Sequence, residues 1–310
     1  MARVAIIGGS GFIGTHTAER LMDDGHEVTV IDLLQPHRAQ LDRFPGVKYI
    51  HADITDYKQA QDAIGAFDYV YMLAACKYVN VCYNDPVYGV NTNVQGLTNV
   101  LQACKNAKVE RIIFSSSVWV YNGCDEESVD ETTVIPAHVT GTLYGYTKVI
   151  GEGLIKCFNQ LYGLDYTILR YGVAYGPGAS DETVISKFLR NACLGKPLTI
   201  CGTGNVSRNF LYVTDHSKAN VLALSDVAKN HIFNIEGSEK VTVKQVADIA
   251  KKMSDKDVSI EYTPARTGEF NGKAVCTKKA KRMLGWEPTI SFSQGMEMHY
   301  NWLSKKKCYV

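Results

Sequence analysis

Tyr144 and Lys148 stand four apart in the stretch Tyr144-Gly145-Tyr146-Thr147-Lys148. On a helix that spacing puts both side chains on one face. A phenol that titrates near about 10 is a poor base at neutral pH. A neighbouring ammonium, and any cationic cofactor, would favour the phenolate and lower that value. Ser117, upstream, offers a hydroxyl that could relay a proton or hold a substrate oxygen. Together these three groups suit the removal of a proton from an alcohol while a redox cofactor takes the hydride. Tyrosine and lysine at this spacing also meet on ordinary surface helices, so the weight of the pair depends on what positions it.

The chain opens with a short apolar run, residues 3–7, that ends in the turn GGSGFIG, residues 8–14. Gly8 would allow a tight turn, Gly11 would let backbone approach a pyrophosphate, and Gly14 would let the next helix pack close to the strand. Gly8, Gly11, Phe12 and Ile13 are the cofactor-binding candidates of this turn. The helix that follows would point its N-terminal amides at the phosphates. A second apolar strand then ends at Asp32, 18 residues after Gly14, about where a dinucleotide fold places an acid on the ribose hydroxyl. A carboxylate there would repel a 2′-phosphate, so NAD is expected over NADP. A glycine-rich turn alone need bind nothing. Strand, spaced glycines, helix, strand and acid in that order argue for a dinucleotide.

Residues 49–54 read as a third strand ending in Asp53-Ile54. Asp53 either meets the adenine amino group or caps the helix from residue 56. Residues 67–76 read as a fourth buried strand, followed by Lys77. Residues 86–107 read as one long helix with Pro86 near its first turn. Residues 110–121 read as a fifth strand running into Ser115, Ser116 and Ser117, polar groups at the mouth of an open parallel sheet, where ligands bind. The helix from about 144 to 162 carries the Tyr144/Lys148 pair, and 164–176 reads as a sixth strand. The alternation predicts an α/β fold with a doubly wound parallel sheet. Shorter interleaved elements follow, with helices near 183–195 and 242–254 and a last one after Phe292, which suggests a small substrate lobe. The expected division is 1–170 for the dinucleotide-binding domain and 171–310 mainly for the lobe, with some segments returning.

Composition narrows the class. Lys plus Arg number 33 against 32 for Asp plus Glu, so nothing points to nucleic acid or a membrane surface as partner. The nine cysteines are scattered without a CxxC pair, which reads as reduced thiols in a cytoplasmic protein. The eight histidines show no metal-ligand spacing, and no metal is expected.

At this point the chain resembles the extended short-chain dehydrogenase/reductases, in the nucleotide-sugar epimerase and dehydratase group that includes UDP-galactose 4-epimerases. The resemblance is carried by GGSGFIG, Asp32, Asp53-Ile54, Asn93 with Gly96, Ser117, Tyr144/Lys148, LRYGVAYGPG, GTGNVSRNFLYVTD and the closing LGWEPTISFSQGM. It implies a seven-stranded Rossmann domain with a small C-terminal lobe for the nucleotide sugar, a tightly held NAD, and a dimer through helices at roughly 86–107 and 144–162. It implies that Ser117 and Tyr144 touch the sugar hydroxyl being oxidised and that Lys148 holds the nicotinamide ribose. Lys77 would reach the cofactor phosphates, Asn93 would sit near the nicotinamide, and Arg208 and Arg266 would grip the substrate diphosphate. In the dehydratases and uronic-acid decarboxylases of the group, the residue at position 117 is followed by an acid. Here Val118 and Trp119 follow, and neither transfers a proton. That favours epimerisation at C4 of a UDP-hexose over the dehydratase or reductase alternative. A non-catalytic NAD-binding sensor would have no use for the complete Ser117, Tyr144 and Lys148 set. Three departures bear on substrate: Val173 and Ala174 stand where the family usually has Asn-Val, the segment before Tyr144 is longer than usual, and Cys201 replaces an aromatic residue. Cys76 and Cys82 match no catalytic position of the family.

Overall fold

The computed structural model of the chain describes residues 1–34, 46–136, 141–264 and 272–306. The strands, in chain order, begin with β1 (Arg3–Ile7), β2 (Glu27–Asp32), β3 (Lys48–His51), β4 (Tyr69–Met72), β5 (Arg111–Ser117), β6 (Ser128–Val129) and β7 (Asp165–Tyr171). They continue with β8 (Val173–Tyr175), β9 (Leu198–Cys201), β10 (Ser207–Tyr212), β11 (His231–Ile235), β12 (Lys240–Thr242), β13 (Ile260–Thr263) and β14 (Ala274–Val275). The helices used below are α1 (Phe12–Asp23), α2 (Tyr57–Ala63), α3 (Val79–Asn84), α4 (Pro86–Val90), α5 (Gly96–Ala107) and α6 (Leu143–Tyr162).

The chain divides into two units. The first comprises Met1–Tyr171, Ser217–Ile235 and Ala274–Trp286. Its seven-stranded sheet runs β11-β7-β5-β4-β1-β2-β3, and every pairing is parallel. Parallel strands covered on both faces need continuous apolar sequence. The run Val4, Ala5, Ile6 and Ile7 in β1 is almost wholly buried for that reason. Strand order reverses between β1 and β4, and in open sheets ligands bind outside the carboxyl ends at such a point. Ile7, Met72, Leu97, Leu101, Phe114 and Ile155 belong to the core that joins the sheet to α5 and α6.

The second unit comprises Gly172–His216, Glu236–Lys273 and Glu287–Val310. It has a three-stranded sheet, β12-β10-β8, and a two-stranded parallel pair, β13-β9. Tyr175, Phe210, Tyr212 and Phe292 form an aromatic cluster in its core, with ring centroids 5.4 to 6.3 Å apart.

Four expectations about elements change. The fifth strand, expected over 110–121, stops at Ser117, and a 3-10 turn, Val118–Gly123, follows. The third strand stops at His51, and Asp53-Ile54 lies in the turn beyond it. The sixth strand, 164–176, is two strands of different sheets, broken at Gly172. The break needs glycine, because a Cβ there would lie 2.6 Å from Cγ of Glu236. The helix at 86–107 is continuous but contains a π segment, Asn91–Gln95, and this turns Asn93 inward. Among the described residues, no helix is long and apolar enough to cross a membrane.

Candidate active site

The glycine turn is built for close backbone approach. Gly8 has φ +84, and a Cβ on it would lie 2.5 Å from the Ala74 nitrogen. A Cβ on Gly14 would lie 2.3 Å from the Gly8 carbonyl oxygen. Gly11 is the N-cap of α1 and supplies no side-chain acceptor, so the first-turn amides around Phe12 and Ile13 are presented without a side-chain cap. That is the donor set an anionic phosphate takes at a helix N-terminus. Asp32 closes the same corner. One of its carboxylate oxygens accepts from the Ser10 N–H at 2.9 Å and the other from the Leu34 N–H at 3.0 Å. The donor chemistry of this turn and acid fits a dinucleotide.

The other cofactor candidates are placed variously. The Asp53 carboxylate accepts from the Thr55 N–H at 2.8 Å and the Thr55 hydroxyl at 2.7 Å, a local turn. Asp56, not Asp53, caps α2 by accepting from the Gln59 N–H. Ile54 is buried, and its carbonyl accepts from the Asn99 amide at 2.8 Å. Lys77 is exposed, with its ammonium 5.2 Å from the ring centroid of Tyr78. Asn93 is engaged by the chain itself: its Oδ1 accepts from the Cys76 N–H at 2.7 Å, and its Nδ2 donates to the Cys76 carbonyl at 3.1 Å and to the Thr147 hydroxyl at 3.0 Å.

Ser117, Tyr144 and Lys148 do come together. Ser117 ends β5 opposite Tyr171 of β7 and caps a 3-10 turn, Val118–Gly123, by accepting from the Trp119 N–H at 3.3 Å. Thr142 caps α6 through the Gly145 N–H, which starts the helix at Leu143, one residue before Tyr144. The Ser117 hydroxyl lies close enough to the Tyr144 phenol to favour its ionised form. The Trp119 ring meets the Tyr144 ring edge-on, centroids 6.5 Å apart. Lys148 is buried, donates to the Ser115 carbonyl at 2.7 Å, and lies 5.9 Å from the Tyr144 ring centroid.

The electrostatics differ from the expected lowering. Tyr144 keeps part of its surface open, yet burial of the phenol pushes it up to about 12; Ser117 pulls it down, and Cys82 and Cys76 add to the rise. Lys148 is pushed down to about 8 by burial, against the pull of Cys82 and Glu152. The ammonium is spent on a backbone carbonyl, and burial dominates the environment of the phenol. The chain's own residues therefore leave Tyr144 protonated at neutral pH.

Two residues of this site were not singled out in the sequence. Glu152 lies four beyond Lys148 on the same face of α6, and Arg170 lies on β7. The two carboxylate oxygens of Glu152 accept from Arg170 at 2.8 and 2.7 Å, and one also accepts from the Ser116 hydroxyl at 2.6 Å. Arg170 also donates to the Tyr121 hydroxyl at 2.6 Å. Burial works against the guanidinium charge, but the Glu152 hydrogen bond and charge outweigh it and raise the group. The signal was the acid at i+4 from Lys148, an extension of the same helical face.

In the second unit, Arg208 sits on β10, partly buried, and donates to the Ser207 carbonyl at 2.8 Å. Val173 pairs with Phe210 across β8 and β10, and Cys201 ends β9, where its sulfur accepts from the Thr263 hydroxyl at 3.6 Å. Glu236 packs over Gly172 and is 5% exposed. Burial pushes its carboxyl up to about 8, with Arg208 pulling the other way. Among the described residues its Oε2 has no hydrogen-bond partner. Arg266 and residues 137–140 lie outside the described residues.

The chain is similar to known proteins in sequence and fold. A family model, described as the NAD dependent epimerase/dehydratase family, matches residues 4–235. A putative UDP-glucose 4-epimerase of Methanocaldococcus jannaschii is 32% identical over 309 residues, covering 97% of this chain and 98% of the relative. The structure of UDP-glucose 4-epimerase with UDP-glucose from Thermotoga maritima matches with a TM-score of 0.91 and 29% identity, covering 98% of this chain and 99% of that one. The UDP-glucuronic acid 4-epimerase of Bacillus cereus, in complex with UDP-glucuronic acid and NAD, matches with a TM-score of 0.89 and 26% identity over 99% and 100% of the two chains. With the family matched across the parallel sheet, the glycine turn and the Ser117–Tyr144–Lys148 cluster, this chain belongs to the NAD-dependent epimerase/dehydratase family and is an NAD-dependent enzyme.

Proposed function

We propose that the chain is a nucleotide-sugar epimerase acting at C4 of a UDP-hexose through a 4-keto sugar. The observation that carries this reading is the composition of the cluster at the end of β5. Ser117, Tyr144 and Lys148 converge there, Val118 and Trp119 follow where a proton-transferring acid would stand, and the nearby Glu152 is committed to Arg170 and Ser116. One base is all that C4 oxidation and reduction require, whereas dehydration needs a further acid or base at the sugar.

Tyr144 takes the proton of the C4 hydroxyl and returns it, and Ser117 holds that oxygen in hydrogen bond with the phenol. NAD, when bound, would supply the hydride acceptor and donor at C4, and its positive charge would lower the phenol that the chain alone holds at about 12. Lys148 adds positive charge and holds the nicotinamide ribose. Gly8, Gly11, Phe12 and Ile13 receive the pyrophosphate, Asp32 the adenosine ribose, Asp53 and Ile54 the adenine, and Lys77 the phosphates. Asn93 acts beside the nicotinamide through its hold on Cys76 and Thr147. Arg208 and Arg266 grip the substrate diphosphate. A homodimer through the helices at roughly 86–107 and 144–162 is part of this reading, supported by the exposed Val87, Tyr88, Leu161 and Tyr162.

The reading is tested by incubating the purified protein, with no added cofactor, with UDP-glucose, UDP-N-acetylglucosamine and UDP-glucuronate and separating the products. The expected product is the C4 epimer of at least one. A deoxy-keto sugar or a pentose would replace this reading with dehydration or decarboxylation.

A further inference from the structure

Cys76 follows the end of β4, and Cys82 lies on α3. Their sulfurs are 3.2 Å apart, with Cys82 donating toward Cys76. Cys82 is fully buried and Cys76 is 5% exposed. A disulfide requires about 2.05 Å between sulfurs, so roughly 1 Å of closure joins them.

The pair is wired to the chemistry of the first unit. Asn93 grips Cys76 at both its N–H and its carbonyl and donates to Thr147, the residue before Lys148 on α6. Lys77 is the next residue of the chain. Ionisation of Cys82 would raise both Tyr144 and Lys148. A displacement of Cys76 is therefore passed to a candidate phosphate ligand on one side and to the catalytic helix on the other.

We propose that Cys76 and Cys82 form a redox modification site, closed to an intramolecular disulfide by a small peroxide, and that closure depresses turnover by moving Cys76 against the Asn93–Thr147 connection. The consequence for turnover rests on the epimerase reading; the bond itself does not. Cys76, the less buried thiol, meets the oxidant first. Its thiolate attacks one peroxide oxygen, the O–O bond breaks, and hydroxide leaves and takes the thiol proton as water. The Cys82 sulfur then attacks the Cys76 sulfenic sulfur, and the hydroxyl leaves with the Cys82 proton as a second water. Two thiols lose two electrons and two protons, and one peroxide becomes two waters. Burial holds the Cys82 thiol up at about 12, so the second step accelerates with pH.

The test treats the reduced, NAD-loaded protein with hydrogen peroxide and follows three readouts: peptide mass after tryptic cleavage at Lys77, epimerase turnover, and NAD released on filtration. We expect the peptides bearing Cys76 and Cys82 to appear linked, two hydrogens lighter than their sum. Turnover should fall at least fivefold or NAD should be released, and dithiothreitol should reverse both. Cys82→Ser should keep its basal turnover and resist peroxide. The proposal is overturned if the linked peptide never forms while other thiols oxidise. It is also overturned if the link forms with turnover and NAD retention unchanged, or if Cys82→Ser is inactivated as fast as wild type. If the reduced protein turns over no UDP-sugar, the epimerase reading fails, and the mass and NAD readouts still decide this one.

Discussion

Glu152 and Glu236 are two buried carboxyl groups in opposite circumstances. Glu152, in the first unit, is 4% exposed and shares three hydrogen bonds with Arg170 and Ser116. Glu236, in the second, is 5% exposed, and one of its oxygens is unmet among the described residues. A buried charge is costly unless it is paired and hydrogen-bonded. In the first unit that cost is offset by a bidentate partner, and the result is a fixed frame for the helix that carries Tyr144 and Lys148. In the second unit the acid escapes the cost by holding its proton, with Arg208 as the opposing charge. The difference separates a region built for one geometry from a region whose charge state is still adjustable.

The largest effect is expected where the fixed frame meets the chemistry. Tyr144→Phe should lower turnover on the order of 10³-fold while NAD stays bound and the melting temperature is unchanged. Retained turnover, measured under the same conditions, would remove Tyr144 as the base. Next comes the frame itself. Arg170→Met leaves Glu152 buried and uncompensated and should destabilise the protein by about 3–5 kcal/mol in denaturant unfolding. The double variant Glu152→Gln, Arg170→Met should recover much of that loss; an additive loss would mean the pair is not coupled.

Glu236 gives a smaller, pH-dependent effect of opposite sign. Its folded value, about 8, lies above its ordinary 4.5. Between those values the folded protein binds more protons than the unfolded chain, so this group's contribution to stability falls as pH rises through the window. Glu236→Gln should melt at a higher temperature than wild type at pH 8.5 and show no such gain near pH 4.5. Equal melting curves at both pH values would show that the carboxyl is not held protonated. The smallest effect is at Asp32, where Asp32→Ala should relax the NAD preference over NADP by about tenfold. The ratio of the two dissociation constants checks it.

The first unit was legible because its constraints are local. Glycine spacing, an acid 18 residues on and apolar strand runs specify β1, α1 and β2 without knowledge of the rest. Ser117 and Tyr144/Lys148 were legible for the same reason. Glu152 and Arg170 were not singled out, since their meaning arises only when β7 brings Arg170 beside α6, a contact between segments 18 residues apart. The break at Gly172 was hidden because an apolar run through residue 176 has the same pattern whether it continues one sheet or starts another. The i+4 spacing placed Lys148 near Tyr144 but could not show where its ammonium is bound, which is at the Ser115 carbonyl. Asp53 was offered two roles, and the capping one belongs to Asp56.

The central claim is that hydride leaves C4 and returns to C4 within one site, with Tyr144 as the only base at the sugar. Proton NMR of the UDP-sugar that the protein turns over, in deuterated buffer with no added NAD, tests it most directly. The account predicts its C4 epimer with no ring carbon deuterated. Deuterium at C3 or C5, or a deoxy-keto product, would require a second acid or base acting on the sugar and would contradict it.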